Sequence, residues 1–177
     1  MRKVISLLVF ILMLVPVCAF AGQEVPLPNS RYMIEVPDWM DYNDPVDGAA
    51  GVEAYISADL EMDYISYPTA TAAEMGMPGS LQETAEKLRA NGTEAELRKI
   101  RGIEMICYRM KDEDADATPC IGYVIEDGGF IIEIDFWYAT QEAADQAAEI
   151  IQTIRLIEED QARHSEPDGF KKWEKVV

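Results

Sequence analysis

The sequence is poor in the residues that most often carry catalysis or bind transition metals. It has one histidine, His164, and three cysteines among 177 residues. A catalytic triad needs an imidazole held beside its nucleophile, and His164 lies in a C-terminal tail that supports one poorly. The sequence also lacks a P-loop, a zinc-protease motif and a nucleophile elbow. We therefore expect no enzyme activity, no cofactor and no metal centre.

Basic residues are scarce as well. The chain has 15 lysines and arginines against 33 aspartates and glutamates, and its formal net charge is -18. An acidic surface of this kind repels the phosphates of nucleic acids and anionic lipids, so we expect no nucleic-acid partner. Acids are so abundant that no chosen pair of them indicates hydrolysis. A carboxylate-dependent hydrolase with a cleft near residues 69–79 is nevertheless the alternative to a binding protein.

The N-terminus predicts export. Basic residues precede an apolar run, 4–17, and residues 19–21 read Ala-Phe-Ala, the small-x-small pattern of a signal cleavage site. We expect cleavage after Ala21 and a mature protein that is secreted or held in the cell envelope. A retained membrane anchor ranks second, because the apolar run is shorter than the ~20 residues of a spanning helix. Cys18 is a poor lipidation site, since Val17 rather than a small residue precedes it.

The stretch 118–157 organises the predicted fold. An Asp-Gly turn joins two of its strands, because glycine accepts positive φ at little cost. In the second strand, apolar residues alternate with a face that carries Glu133 and Asp135. This alternation is typical of a sheet with one buried face and one partly wet face. Thr140 then caps a helix with one apolar stripe, which should lie across the sheet.

Upstream, three strands lead to a first helix, which begins at Ser80 and has Glu83 in position for a capping box. The predicted fold class is α+β: an antiparallel sheet of about six to seven strands with two helices packed on one side of it, in the order βββ-α-ββββ-α. We find neither an internal repeat nor a second domain. The predicted divisions are a signal peptide (1–21), a flexible leader (22–30), a single α+β domain (31–158) and a C-terminal tail (159–177).

Two cysteines, Cys107 and Cys120, are left after signal cleavage. A hairpin around residues 111–116 that pairs Met110 with Ala117 also brings Cys107 opposite Cys120. In an exported chain, this register predicts a cross-strand disulfide. Two free buried thiols are the alternative if the register slips.

The acidic loop between these cysteines resembles part of a calcium site. Asp112, Asp114 and Asp116 fit the first three ligand positions of an EF-hand loop. The sixth position is Ala117 where a glycine is needed, and the twelfth is Tyr123 where a bidentate glutamate is needed. The spacing also lies between strands rather than helices. We therefore favour a solvated hairpin loop over a metal site.

Aromatic side chains are the candidates for a binding surface. Tyr55, Tyr64, Tyr67 and Trp137 are placed on the sheet, where exposed rings opposite the helices would form a patch for a partner. The simpler interpretation, which we prefer for most of them, is that the rings pack beneath loops or a helix. Trp39, beside a strand end, is expected to plug the core.

The tail is locally basic, with Lys171, Lys172 and Lys175 around Trp173. It either docks on its own acidic domain or reaches a membrane or a partner. Three lysines give little electrostatic attraction to a membrane. We expect membrane contact solely through an uncleaved signal segment or this tail.

The order of elements resembles the PsbP-like fold, in which two helices pack on an antiparallel sheet. Three segments carry the resemblance over roughly 31–157: a first strand, YMIEVPDW, a hairpin, KIRGIEMICYRM, and a last strand with its helix, GGFIIEIDFWYATQEAADQAAEIIQTIRLI. None of them is a catalytic motif, and no functional residue is carried over. The resemblance implies an accessory or binding protein at a membrane or on a partner protein. We expect an exported, non-catalytic domain whose partner is an unknown protein or envelope component.

Overall fold

The computed structural model describes residues 22–43, 53–110 and 118–157. The predicted signal peptide (1–21), the acidic loop with Asp112, Asp114 and Asp116, and the tail with His164 lie outside the described residues. Within the described ranges, no helix is both long enough and apolar enough to cross a membrane.

The predicted α+β class and strand order are confirmed. The order βββ-α-ββββ-α is present, with short elements added to it. The described elements are β1 (Gly22–Pro26), β2 (Tyr32–Pro37), β3 (Asp41–Asn43), β4 (Glu53–Ile56), β5 (Leu60–Pro68), α1 (Thr69–Ala72), α2 (Leu81–Ala90), β6 (Glu94–Ile100), β7 (Ile103–Met110), β8 (Cys120–Asp127), β9 (Phe130–Tyr138), α3 (Gln141–Ile151) and β10 (Arg155–Leu156).

Two antiparallel sheets form the scaffold. The larger has seven strands in the order β3-β4-β5-β9-β8-β7-β6, and the smaller has the order β1-β2-β10. The predicted flexible leader is therefore wrong for β1, whose Gly22 pairs with Pro37. Burial explains this difference, because Val25 and Leu27 are both buried and fix the segment against the core.

Both faces of the large sheet are covered, and the helices lie on opposite faces. The first face packs against α3 and the small sheet, in a core that includes Ile34, Tyr64 and Phe136. On the second face, Ile106 and Val124 pack against Ala85 of α2. The expectation that both helices shield one side is therefore wrong. Residues 120–125 of β8 are all buried, because this strand has apolar neighbours on each face.

The helix caps form as the sequence predicts. The Ser80 hydroxyl accepts from the amide of Glu83 at 3.2 Å, and the Thr140 hydroxyl accepts from the amide of Ala143 at 3.2 Å. The Glu83 carboxylate accepts from the amide of Gly79 at 2.8 Å, one residue before the amide that a standard capping box uses. The two predicted helices, α2 and α3, thus begin directly after their predicted caps.

The predicted disulfide is wrong, because the register between β7 and β8 differs from the expected one. Met110 pairs with Cys120, and Cys107 pairs with Tyr123. This register differs by three residues from the expected one, and an odd shift moves one cysteine to the other face of the sheet. Cys107 belongs to the first-face core, whereas Cys120 follows the alternation of the second face. Both thiols are free and buried.

Candidate functional site

The four aromatic residues proposed from the sequence do not share a surface. Tyr55 and Tyr64 are buried in the first-face core, where their rings stack with centroids 6.5 Å apart. Tyr67 is buried on the second face near α1 and α2. Trp137 is partly buried on that face, next to Cys120 in the register. These rings therefore pack into the fold, and they do not make the patch that would bind a partner.

An exposed aromatic hollow lies instead at the β3 edge of the large sheet. Its volume is about 430 Å³. Trp39 is 42% exposed and Tyr42 is 50% exposed, which is unusual for side chains of this size. We call this site the aromatic hollow; its lining residues are Trp39, Asp41, Tyr42, Asn43, Ile56, Ser57 and Ala58.

The turn after β2 explains why Trp39 points outward. The amide of Met40 donates to the carbonyl of Pro37 at 3.0 Å, which tightens the chain directly after the strand. Met40 then takes the buried position in the first-face core. The expectation that Trp39 plugs the core is therefore wrong, because its neighbour fills that place. The spacing of apolar residues in the sequence does not show which of two adjacent apolar residues a tight turn buries.

Tyr42 is held on a rigid support. It pairs with Tyr55 between β3 and β4, and the two rings meet edge to face with centroids 5.3 Å apart. Tyr55 in turn stacks on the buried ring of Tyr64. One side of the Tyr42 ring is thus held by the core, and half of the side chain is exposed.

A second group of polar side chains lies on the second face, and we call it the tyrosine–carboxylate cluster: Asp63, Tyr108, Glu133 and Asp135. The Tyr108 hydroxyl lies 2.8 Å from Oε1 of Glu133 and 2.6 Å from Oδ1 of Asp135. In the register, Gly122 of β8 lies between Tyr108 of β7 and Asp135 of β9. A Cβ atom at Gly122 would lie 2.0 Å from Cζ of Tyr108, so the tyrosine ring crosses β8 through the space that a side chain would fill.

Burial and like charge raise the carboxyl pKa values in this cluster. Asp135 pairs directly with Asp63 between β9 and β5. Burial, followed by the charges of Glu133 and Asp63, raises the pKa of Asp135 to about 7, although the bond from Tyr108 opposes this shift. Burial, followed by the charge of Glu61, raises the pKa of Asp63 to about 6.

The number of hydrogens available for these hydrogen bonds indicates that one carboxyl group of the cluster holds a proton. A tyrosine hydroxyl has one hydrogen to donate, and an ionised carboxylate can only accept. Tyr108 contacts two carboxyl groups, so both contacts are hydrogen bonds only when one of those carboxyls is protonated. The sequence showed the acids on this face. It did not show that Gly122 lets a tyrosine from β7 reach them.

Two further predictions concern a metal site and a hydrolase cleft. The described residues contain no group of three or more His, Cys, Asp or Glu side chains arranged to hold a metal ion. Residues 69–79, where a hydrolase cleft was the alternative, include α1 and the turn after it. None of them lines the aromatic hollow or belongs to the tyrosine–carboxylate cluster.

Comparison with known proteins shows likeness of fold. No protein-family model matches the chain, and no curated protein matches its sequence. The crystal structure of a protein from Bacteroides thetaiotaomicron VPI-5482 matches with a TM-score of 0.53 and 16% identity, and it covers 78% of this chain. This chain spans 50% of that protein.

A PsbP protein also stands among the solved structures that match, as the sequence resemblance predicts. It is the cyanobacterial PsbP (CyanoP) of Synechocystis sp. PCC 6803, known from a solution structure. The TM-score is 0.49 and the identity is 16%, over 80% of this chain and 96% of that one. At such identities the likeness extends to the fold alone, and neither protein passes a function to this chain.

Proposed function

We propose that this chain is an exported, non-catalytic binding or accessory domain, and that its partner is a protein that docks on the aromatic hollow. The observation that carries the proposal is the exposure of Trp39 and Tyr42 side by side in one hollow. Tryptophan and tyrosine are the side chains most enriched among residues that dominate binding energy at protein interfaces. The stacked support beneath Tyr42 lowers the entropy that binding would otherwise lose.

The position of β3 favours a protein partner over a small molecule. In the described part of the large sheet, β3 is an edge strand that pairs with β4 on one side. An edge strand offers backbone donors and acceptors to an extended segment of another chain. Asp41 lies beside the rings, and the chain as a whole is acidic, so the expected segment carries apolar and basic side chains.

Export belongs to the same proposal. The basic start, the apolar run and the Ala-Phe-Ala site support secretion or placement in the cell envelope. N-terminal sequencing of the protein recovered from its own cells tests this part. A first residue of Gly22 supports cleavage after Ala21, and a first residue of Met1 contradicts it.

A capture experiment with matched variants tests the docking surface. The mature chain, the variant Trp39→Ala/Tyr42→Ala and the variant Leu97→Ala are each used as bait in extracts of the native cells. Leu97 is the control because it is 55% exposed and lies on β6, at the opposite edge of the sheet. We expect one protein to be retained by the first and third baits and lost with the double variant.

Once that protein is purified, its affinities for the parent chain and for the double variant measure how much the two side chains contribute to binding. Loss of an interface anchor costs about 2 kcal/mol or more, so the double variant should bind at least ~30-fold more weakly. Equal retention by all three baits would sink the proposal. Both mutated side chains are about half exposed and Tyr42 packs on Tyr55, so the double variant should melt somewhat below the parent chain and stay folded at the assay temperature.

A carboxylate-dependent hydrolase is the second candidate, and one observation favours it. The raised pKa of Asp135, about 7, suits a general acid at neutral pH. The test is hydrolysis of chromogenic glycosides and esters by the mature protein and by Asp135→Asn. Turnover that the variant loses would favour the enzyme, and absence of turnover in both would favour the binding domain.

A further inference from the structure

A second hollow lies at the β6 edge of the large sheet, where β6, β7 and β8 run side by side. Its volume is about 720 Å³, within the range of sites that accept small molecules. Six of its polar or titratable side chains lie on the first face by strand alternation: Glu94, Glu96, Arg98, Cys107, Arg109 and Tyr123. We call this site the arginine hollow. It is separate from the aromatic hollow, which lies at the other edge.

Tyr123 presents a hydroxyl to this hollow. The residue is 6% exposed, and its ring packs edge to face on Phe136 with centroids 6.0 Å apart. Its hydroxyl bonds to no side chain or backbone group among the residues that the structure describes. In that same part of the chain, no fully buried side-chain oxygen or nitrogen lacks a partner, so the hydroxyl reaches the open space of the hollow. A buried ring thus holds a free donor at the wall of the cavity.

Two guanidinium groups act on that hydroxyl. Burial raises the pKa of Tyr123 to about 12, and the charges of Arg109 and Arg98 both oppose this shift. The two arginines thus bring positive charge close to the phenol, on a chain whose net charge is strongly negative, and Glu94 and Glu96 line the same hollow.

The two arginines differ in their partners. Arg98 forms an ion pair with Glu96, which also lines the hollow. Arg109 makes no ion pair with any side chain in the described ranges. Glu94 lies opposite Arg109 in the register, so an incoming anion would approach Arg109 beside Glu94 and would compete with Glu96 for Arg98.

We propose that the arginine hollow binds a small anion that carries a carboxylate or phosphate group, with Arg109 and Arg98 pairing with its oxygens and the Tyr123 hydroxyl donating to it. Guanidinium forks match the oxygens of both groups, and a tyrosine donor adds direction. The ligand is small because the strongly negative net charge of the chain repels an extended polyanion. The site needs no partner protein, so it stands apart from the proposed docking surface.

Titration with defined anions tests this site. The mature chain is titrated with inorganic phosphate and, separately, with succinate at constant ionic strength, and binding is followed by calorimetry. We expect saturable binding of at least one, and the stronger of the two identifies the preferred group. Tyr123→Phe removes one hydrogen bond to a charged group and should weaken binding about tenfold. Arg109→Gln should weaken it at least as much.

Lys99→Gln is the matched control. It removes one positive charge from an exposed position on β6 that does not line the hollow. We expect this variant to bind like the parent chain. Loss of affinity equal to that of Arg109→Gln would mean general charge attraction and would overturn the site. So would absence of saturable binding of both anions, or parental affinity in Tyr123→Phe and Arg109→Gln.

The anion site and the docking surface can be tested independently of each other. Trp39→Ala/Tyr42→Ala should keep its full affinity for the anion, since neither side chain lines the arginine hollow. Circular dichroism and melting temperature identify any variant that fails to fold. Arg109 is exposed and Tyr123→Phe keeps the buried ring, so both variants should fold.

Discussion

Gly122 decides whether the tyrosine–carboxylate cluster can form. A methyl group at this position would lie 2.0 Å from Tyr108 Cζ, and both residues belong to adjacent, buried strands. We predict that Gly122→Ala lowers the free energy of unfolding by about 1–3 kcal/mol, the usual result of overpacking a core. Urea denaturation measures this loss. In a Tyr108→Ala background the same change should cost less, and an equal cost in both backgrounds would contradict the steric explanation.

Asp135 gives the protein a pH dependence with a defined sign. The pKa of Asp135 is about 7 in the folded state against 3.8 for the free side chain, so the folded state holds the proton more tightly than the unfolded chain. Its contribution to stability is complete below about pH 4 and is lost as the pH rises to about 7. We predict that Asp135→Asn is stabilised relative to the parent chain at pH 8 and gains less at pH 4.

The comparison must be made between the two proteins at each pH. Asp127 titrates in the opposite sense, because the hydrogen bond and charge of Arg31 lower its pKa and its stabilising effect is lost as the pH falls. The difference in unfolding free energy between parent and Asp135→Asn removes this common contribution. A difference that stays constant from pH 4 to pH 8 would show that Asp135 holds no extra proton in the fold.

At the scale of elements, the register between β7 and β8 fixes the state of both thiols. An odd shift places Cys107 and Cys120 on opposite faces, where no rotamer brings the two sulfurs together. We predict that alkylation of the mature protein in denaturant, without reductant, labels both cysteines in the mass spectrum. Labelling that appears only after reduction would restore the disulfide. In the folded protein, Cys107 should react before Cys120, because it lines the arginine hollow.

The same elements show what could be read from the sequence. The alternation of β9 and the caps at Ser80 and Thr140 are local features, and the structure confirms them. The face on which each helix packs depends on contacts between distant strands. Glu133 and Asp135 made the second face look wet, but Ile131 on the same strand packs there in a buried apolar cluster. The alternation of apolar and polar residues identified the two faces of the strand. It did not show how much of each face a helix covers.

The candidate sites were harder to predict for a related reason. Each arises from a single local geometry that no spacing reveals: the turn that buries Met40 and exposes Trp39, and the gap at Gly122 that admits Tyr108. The arginine hollow forms where side chains of three strands meet at an edge. In the sequence these residues are spread among ordinary strand positions, so composition and motif searches pass over them.

At the scale of the whole molecule, the two hollows lie at opposite edges of one sheet and should act independently. Six strand spacings separate β3 from β6, which is roughly 29 Å across the sheet at about 4.8 Å each. This separation exceeds the Debye length of about 8 Å at physiological salt and the ~10 Å within which mutational effects usually couple. We predict that saturating phosphate leaves partner capture unchanged, and that Arg109→Gln captures the partner as the parent chain does.

Calorimetry of phosphate binding with and without the purified partner measures this independence directly. We expect the phosphate affinities with and without the partner to agree within about twofold, because the free-energy changes at uncoupled sites add within ~0.5 kcal/mol. The double variant Arg109→Gln/Tyr42→Ala should then lose phosphate affinity as Arg109→Gln does and partner affinity as Tyr42→Ala does. Coupling larger than this would require a rearrangement carried through β5 and β9, whose register runs from Leu60 paired with Tyr138 to Pro68 paired with Phe130. A tenfold effect of either ligand on the other would therefore show that this sheet has two arrangements.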